Sequence, residues 1–183
     1  FLTANNIKGN RKIKFSIVRY GNVMGSRGSV VPFFLKHKSK GYLPITHPKM
    51  TRFNLSLDQA SETVLYAVTS NFGGEIYIRK SPSYRILDLA NAVAPKCKIK
   101  IIGLREGEKI DEELISKNES QRVIDTNKYY IVVSHTDKKS EKFYYKNFKK
   151  VKNNFIYTSG TNDNFLTVKE LEKIIRLEIT NQN

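Results

Sequence analysis

Phe15-Ser16-Ile17-Val18-Arg19-Tyr20-Gly21-Asn22-Val23-Met24-Gly25-Ser26-Arg27-Gly28-Ser29-Val30-Val31-Pro32-Phe33-Phe34 is the stretch that decides the fold. It begins as an apolar, β-branched run and stops abruptly at Arg19-Tyr20-Gly21-Asn22. Glycines then recur at Gly21, Gly25 and Gly28, and Pro32 opens a new apolar segment. This is the pattern of a buried strand that ends at a ligand. Glycines let backbone approach a bound group closely, and open α/β sheets bind ligands just past the carboxyl ends of their strands. Asn22 and Arg27 add side-chain donors to that turn.

On either side the periodicity keeps alternating between strand and helix. The last turns of a helix occupy Phe1–Ile7, and Lys14–Arg19 is a strand. Val30–Lys40 reads as a helix closed at Gly41, followed by extended pieces at Leu43–Thr46 and Phe53–Ser56. Asp58 is placed to cap a helix over Gln59–Ser70, with Ala60, Val64 and Ala67 on one stripe and Thr63 beside them. Gly73-Gly74 breaks that helix, and Glu75–Ile78 alternates as a strand. The spacing then predicts a helix over Arg85–Ala94, a strand over Lys98–Leu104 and a short helix over Glu108–Ile115. Tyr129–Val133 is a strand, and Thr167–Ile179 is a closing helix whose Thr167 and Glu170 form a capping box. Such alternation argues for an α/β protein. After about Ser134 the chain becomes rich in Lys and Tyr and less periodic, so residues 1–134 are expected to form the main domain and residues 135–183 an irregular extension.

Composition narrows the classes. The 183 residues carry 32 basic and 17 acidic side chains, a net charge of +15. That balance favours anionic partners, whether nucleic acid, anionic lipid or small phosphorylated molecules. The basic residues cluster at Lys8–Lys14 and most densely at His135–Lys152, where a solvated lysine face is the plainest reading and nucleic acid an unlikely one. No apolar run approaches the ~18 residues of a membrane span, and no signal-peptide pattern opens the chain. A lone Cys97 excludes an internal disulfide and fits a cytoplasmic setting. The first residue is Phe1, inside a helical pattern, so a fragment is expected.

Few motifs announce chemistry. There is no Walker loop, no GxGxxG and no metal-spaced cluster of Cys and His; His37, His47 and His135 are scattered. Tyr145 and Lys149 make a YxxxK, but in a chain with ten tyrosines and a dense lysine run it is a chance match. Arg52, in Met50-Thr51-Arg52-Phe53, and Arg105, in Arg105-Glu106-Gly107-Glu108, sit beside strand-like segments. Arginine binds phosphate oxygens bidentately. Two arginines, the Asn22 amide and a glycine-rich turn suit a diphosphate, and Glu108 suits ribose hydroxyls; the alternative is that both arginines form surface salt bridges.

The ordered motifs make the chain resemble a known family. Arg19–Val23 with Gly25–Phe34, then Pro44-Ile45-Thr46, Met50–Phe53, Gly73–Ile76, Asp88-Leu89-Ala90, Gly103–Lys109, Glu119-Ser120, Phe155–Ser159 and Asn162-Asp163 are similar to extended short-chain dehydrogenases acting on nucleotide sugars. Within these, the chain looks most like the inverting UDP-N-acetylglucosamine 4,6-dehydratases and capsular-polysaccharide epimerase/dehydratases. The resemblance implies the C-terminal part of a Rossmann-type doubly wound sheet plus the small α/β substrate domain, with the dinucleotide-binding half and the catalytic tyrosine and lysine lying before Phe1. It implies that Tyr20 and Gly21 pass near a nicotinamide of NADP or NAD, and that Asn22 contacts the diphosphate of a UDP-sugar. Arg52 and Arg105 would clamp that diphosphate, Glu108 would hold the ribose, and Leu43 to Thr46 would pack on uracil. The expected partners are a UDP-sugar and an N-terminal half or second copy of the chain. A 4-epimerase is the alternative activity; a basic binding module and an inactive split-gene remnant are the alternatives outside it.

Overall fold

The computed structural model describes residues 3–26, 28–134 and 137–180. The start of the first helix at Phe1–Leu2, the Arg27 donor and His135 lie outside the described residues. In chain order the first elements are α1 (Ala4–Ile7), β1 (Ile17–Arg19), α2 (Val30–Lys38), β2 (Tyr42–Ile45), β3 (Thr51–Phe53), α3 (Leu57–Ser70), β4 (Ile76–Arg79) and β5 (Ser83–Arg85). There follow α4 (Ile86–Val93), β6 (Lys98–Ile101), β7 (Glu113–Ile115), β8 (Val123–Asp125), β9 (Tyr129–Val132), α5 (Lys138–Asn147), β10 (Lys149–Lys150), β11 (Tyr157–Thr158) and α6 (Val168–Thr180). The α/β class expected from the alternation is present.

The chain weaves between two compact units. One takes the residues up to Tyr20, Asp58–Lys80 and Glu113–Tyr157; the other takes Gly21–Leu57, Ser81–Glu112 and the residues from Thr158 onward. The tail beyond residue 134 is therefore shared between both units, and besides the expected closing helix, α6, it holds a second helix, α5. Its low periodicity in sequence reflects helices that show solvent long lysine-bearing faces: Lys138, Lys139, Lys142 and Lys146 are all exposed.

The first unit is built on a five-stranded sheet of order β1-β4-β9-β8-β10. β1 and β4 run parallel, Ile17 opposite Ile76, and the other pairings of this sheet are antiparallel, so the sheet is mixed, as the C-terminal part of a doubly wound sheet with antiparallel strands added is. Ile76, Tyr77 and Ile78 of β4 are all buried, as a central strand covered on both faces requires. Their core continues through Ala67 of α3, Ile124, Tyr129, Ile131 and Val133, and Tyr144 of α5. On α3 the buried stripe is Ala60, Thr63 and Ala67; Val64 is 44% exposed. Thr63 tolerates burial because its hydroxyl donates to Gln59 O at 2.7 Å. Asp58 lies within the first turn, where its charge favours the helix dipole, not at the cap.

The Gly73-Gly74 break has a specific cause. Gly74 has φ +98° and donates to Phe15 O at 2.7 Å, while a Cβ there would lie 2.6 Å from Ser134 Oγ. Next to it the fully buried Glu75 accepts from the N–H groups of Phe72 at 3.0 Å and Gly73 at 2.9 Å, and from Ser140 Oγ at 3.0 Å. One buried carboxylate thereby closes the turn after α3 and docks α5. Tyr77 and Tyr144 hydroxyls meet at 3.1 Å inside the same core.

At the end of β1, Arg19 donates twice to the Glu119 carboxylate, at 3.0 and 3.1 Å, and once to Leu114 O at 2.7 Å. Burial alone pushes Glu119 upward; the Arg19 bonds and the Ser116 N–H and hydroxyl outweigh it and hold the carboxyl below its ordinary value of 4.5. A depressed folded-state pKa contributes stability above the unfolded value and loses it as pH falls through the folded one. Arg19→Met is therefore expected to cost about 1 kcal/mol at pH 7 and less at pH 3, the bond to Leu114 O being lost at either, read by thermal unfolding at the two values. An equal loss at both would sever the pair from the acid response.

In the second unit, β2 and β6 pair in parallel from Tyr42↔Lys98 to Ile45↔Ile101, and β3 pairs antiparallel with β5. Leu43, Ile45, Phe34 of α2, Leu89 and Ala90 of α4, and Leu171 and Ile175 of α6 form the core. The capping box starting α6 is as expected: Thr167 N–H and hydroxyl donate to Glu170 at 2.8 and 2.7 Å, and Glu170 N–H donates to Thr167 Oγ1 at 3.3 Å. The helix expected at Glu108–Ile115 does not form. Residues 108–112 are turn and Glu113–Ile115 is β7, because the backbone of this stretch bonds outward, Glu112 N–H to Ser159 Oγ at 2.8 Å. β3 starts two residues before the expected strand, and β6 ends three residues before Leu104.

Candidate nucleotide-sugar site

Within the second unit, residues from four sequence-distant segments enclose a cavity of about 260 Å³. Its floor is apolar, from Phe33 and Phe34 of α2, Pro44 and Ile45 of β2, and Met50 and Ile86. Its polar groups are Asn22, Thr46, Arg52, Arg105 and Glu108. The glycine-rich turn that follows β1 thus does reach a cavity, through Asn22 and Gly28, and α2 opens beside it at Ser29 and Val30.

Pro44, Ile45 and Thr46 line the cavity, and Leu43, on the same buried face of β2 as Ile45 and 0% exposed, lies in the core and does not. Tyr20 is 43% exposed and Gly21 is packed against protein, and neither lines the cavity. Five of the eight expected positions, Asn22, Thr46, Arg52, Arg105 and Glu108, are brought together.

The two arginines differ sharply. Arg52 is 13% exposed at its side chain and is fully engaged: it donates to Thr51 O at 2.6 Å, Ile110 O at 2.9 Å and Lys109 O at 3.1 Å. Glu108 and Glu112 flank it at 3.9 and 3.8 Å. Arg105 is exposed at the end of the Gly103–Gly107 turn, and among the described residues its guanidinium makes no ion pair. Glu108 is oriented by three donors or near donors, Thr46 Oγ1 at 3.4 Å, Arg105 N–H at 3.1 Å and Arg52. One wall of the cavity is therefore pinned by Arg52 and the same wall presents Arg105 as a free cation.

Behind that wall lies a polar network absent from the expectations. Thr51 Oγ1 donates to Asp111 at 2.6 Å and meets Ser159 Oγ at 2.7 Å; Ser159 N–H donates to Glu112 O at 2.8 Å. Glu112 Oε2 accepts Phe53 N–H at 2.8 Å. Burial pushes the Glu112 carboxyl above the usual carboxylate range, against the opposite pulls of Phe53 N–H and Arg52. The same burial, then the Glu112 charge, raises the Tyr84 hydroxyl, so it stays neutral. Sequence held one trace of this network: Gly160 after Ser159, where a Cβ would lie 2.5 Å from the Asp111 carboxylate.

The chain is 44% identical over 183 residues to a UDP-N-acetylglucosamine 4,6-dehydratase (inverting) of Campylobacter jejuni, covering 96% of this chain and 55% of that protein. It is 39% identical over 170 residues to a UDP-glucose 4-epimerase of Rickettsia bellii, covering 90% of this chain and 50% of the other. The crystal structure of Pen from Bacillus thuringiensis superposes with a TM-score of 0.83 at 32% identity, over 99% of this chain and 55% of that one. The chain thus spans about half the length of the relatives it matches. Residues 1–134 match the family described as polysaccharide biosynthesis protein, and the chain belongs to that family.

Proposed function

We propose that the second-unit cavity binds the nucleoside diphosphate part of a UDP-sugar, and that the chain serves as the substrate-binding part of a UDP-N-acetylglucosamine-type 4,6-dehydratase. Such an enzyme eliminates water across C5 and C6 of the sugar during surface-glycan biosynthesis. The observation that carries the reading is the cavity itself: an apolar floor sized for a planar base, with the Asn22 amide, the Arg105 guanidinium and the Glu108 carboxylate around it. An arginine with no competing anion is matched to phosphate oxygens. Glu108, accepting from Thr46 and the Arg105 backbone, keeps lone pairs for a ribose hydroxyl. Pro44 and Ile45 offer the flat apolar contact for uracil. Arg52 contributes by building the wall, since its donors already serve three carbonyls.

NAD or NADP belongs to the chemistry of the intact enzyme. Tyr20 and Gly21 passing near the nicotinamide is part of this proposal; Glu112 Oε2 and Phe53 Cβ occupy the place of a Gly21 side chain, each at 2.8 Å, so Gly21 offers its backbone. A UDP-sugar 4-epimerase is the second reading, favoured by the 39% identity to the rickettsial enzymes. A partner carrying the remaining length of the relatives, or a second copy, is part of the proposal. Among the described residues no helix is long and apolar enough to cross a membrane.

Titration calorimetry with UDP tests the site. Arg105→Ala is expected to weaken UDP binding by about tenfold or more, the loss of one charge-assisted hydrogen bond of roughly 1.5–3 kcal/mol. UDP binding that is absent in the parent chain, or unchanged in Arg105→Ala, would sink the assignment.

A further inference from the structure

Both walls of the cavity converge on one side chain that does not line it. Glu112 Oε2 accepts Phe53 N–H at 2.8 Å and fills the space beside Gly21, the residue before Asn22. Glu112 Oε1 lies 3.8 Å from Arg52 Nε. Arg52 in turn holds the carbonyls of Lys109 and Ile110, in the loop that carries Arg105 and Glu108. The backbone of Glu112 is fixed independently, its N–H to Ser159 Oγ and its C=O from Ser159 N–H, both at 2.8 Å. Its carboxylate is therefore placed by the fold and aimed at the two segments that present ligand groups.

A glutamine would serve Phe53 N–H equally well. Only an anion complements Arg52 on its Nε side, and neutralising one of the two carboxylates that flank a largely buried guanidinium is costly. The charged or titratable groups that face Glu112 are Arg52 on β3 and the neutral Tyr84 on β5; Asp111 is taken up by Thr51, and Glu108 lies across Arg52.

We propose that Glu112 is a positioning residue of the nucleotide-diphosphate site, its carboxylate setting Asn22 through Gly21 on one side and Arg105 through Arg52 on the other. The inference rests on the reading of the cavity given above. Its charge, not its bulk, does the positioning, and burial delays that charge to higher pH than an ordinary carboxylate.

The test is UDP affinity of the parent chain and Glu112→Gln from pH 4.5 to 7.5. The ratio of the two cancels the ionisation of UDP itself. It is expected to be near one at the acid end and about tenfold in favour of the parent at pH 7.5. A merely structural glutamate gives a ratio that does not move with pH, and that result overturns the proposal. Hydrogen exchange supplies a second readout without ligand or variant. Thr51 N–H, which donates to Ile110 O at 3.0 Å, is expected to lose protection in the parent as pH falls, after correction for the intrinsic rate. Unchanged protection overturns the proposal as well. Failure of the parent to bind UDP would instead remove the nucleotide reading, with the exchange result still deciding whether Glu112 acts as described.

Discussion

Arg52→Ala is expected to destabilise the chain by about 3 kcal/mol and to abolish measurable UDP binding. The substitution removes the guanidinium from the carbonyls of Thr51, Lys109 and Ile110, leaving Ile110 O with Thr51 N–H. It also strips the cation from between Glu108 and Glu112, of which Glu112 is already pushed toward its neutral form by burial. The loop carrying Arg105 and Glu108 then loses its anchor, so binding fails even though the free cation is intact. Arg52→Lys should recover little, because one ammonium cannot span three carbonyls and two carboxylates as a planar fork does. Urea unfolding and UDP calorimetry on the same samples check both parts. A variant with parental stability and no UDP binding would mean that Arg52 meets the phosphates directly, and that the wall needs no anchor.

Leu171→Ala should cost the second unit about 2–5 kcal/mol, the range for truncating a leucine in a packed core. Leu171 is 0% exposed and packs in the core with Leu89 and Ala90 of α4 and Phe34 of α2. Leu177, two turns on and 58% exposed, is the control: Leu177→Ala should change the melting temperature by little, being a surface change. Equal effects at both positions would mean that α6 is not seated as described.

Much of this was legible in the residues themselves. The turn at Gly21–Asn22, helices α2, α4 and α6 and the pair Arg105 and Glu108 all followed from local pattern, because each depends on neighbours a few residues away. What stayed hidden depends on distant partners. Arg52 looked like a phosphate ligand in Met50–Phe53, and only the return of residues 109–112 shows its donors already engaged. Leu43 was placed with the site beside Ile45, but of the two on that buried face of β2 only Ile45 reaches the cavity, and which one does depends on distant segments that sequence does not place. Glu108–Ile115 read as a helix from its charges, but Ser159, far along the chain, draws its backbone elsewhere. Gly21 shows the same limit: its small size in sequence gives no sign that a glutamate of the same chain fills the space beside it.

The weaving of the chain between its two units bears on how the molecule is made. Neither unit is a contiguous stretch, since each is assembled from three separated segments. The first core waits for Tyr144 and the second for Leu171 and Ile175. A nascent chain must therefore hold Phe34 and Leu43 incompletely covered until Leu171 and Ile175 have been made, a high contact order that slows folding and exposes apolar surface meanwhile. Proteolytic nicking between Tyr144 and Leu171 should accordingly damage the second core although the cut lies far in sequence from Phe34 and Leu43.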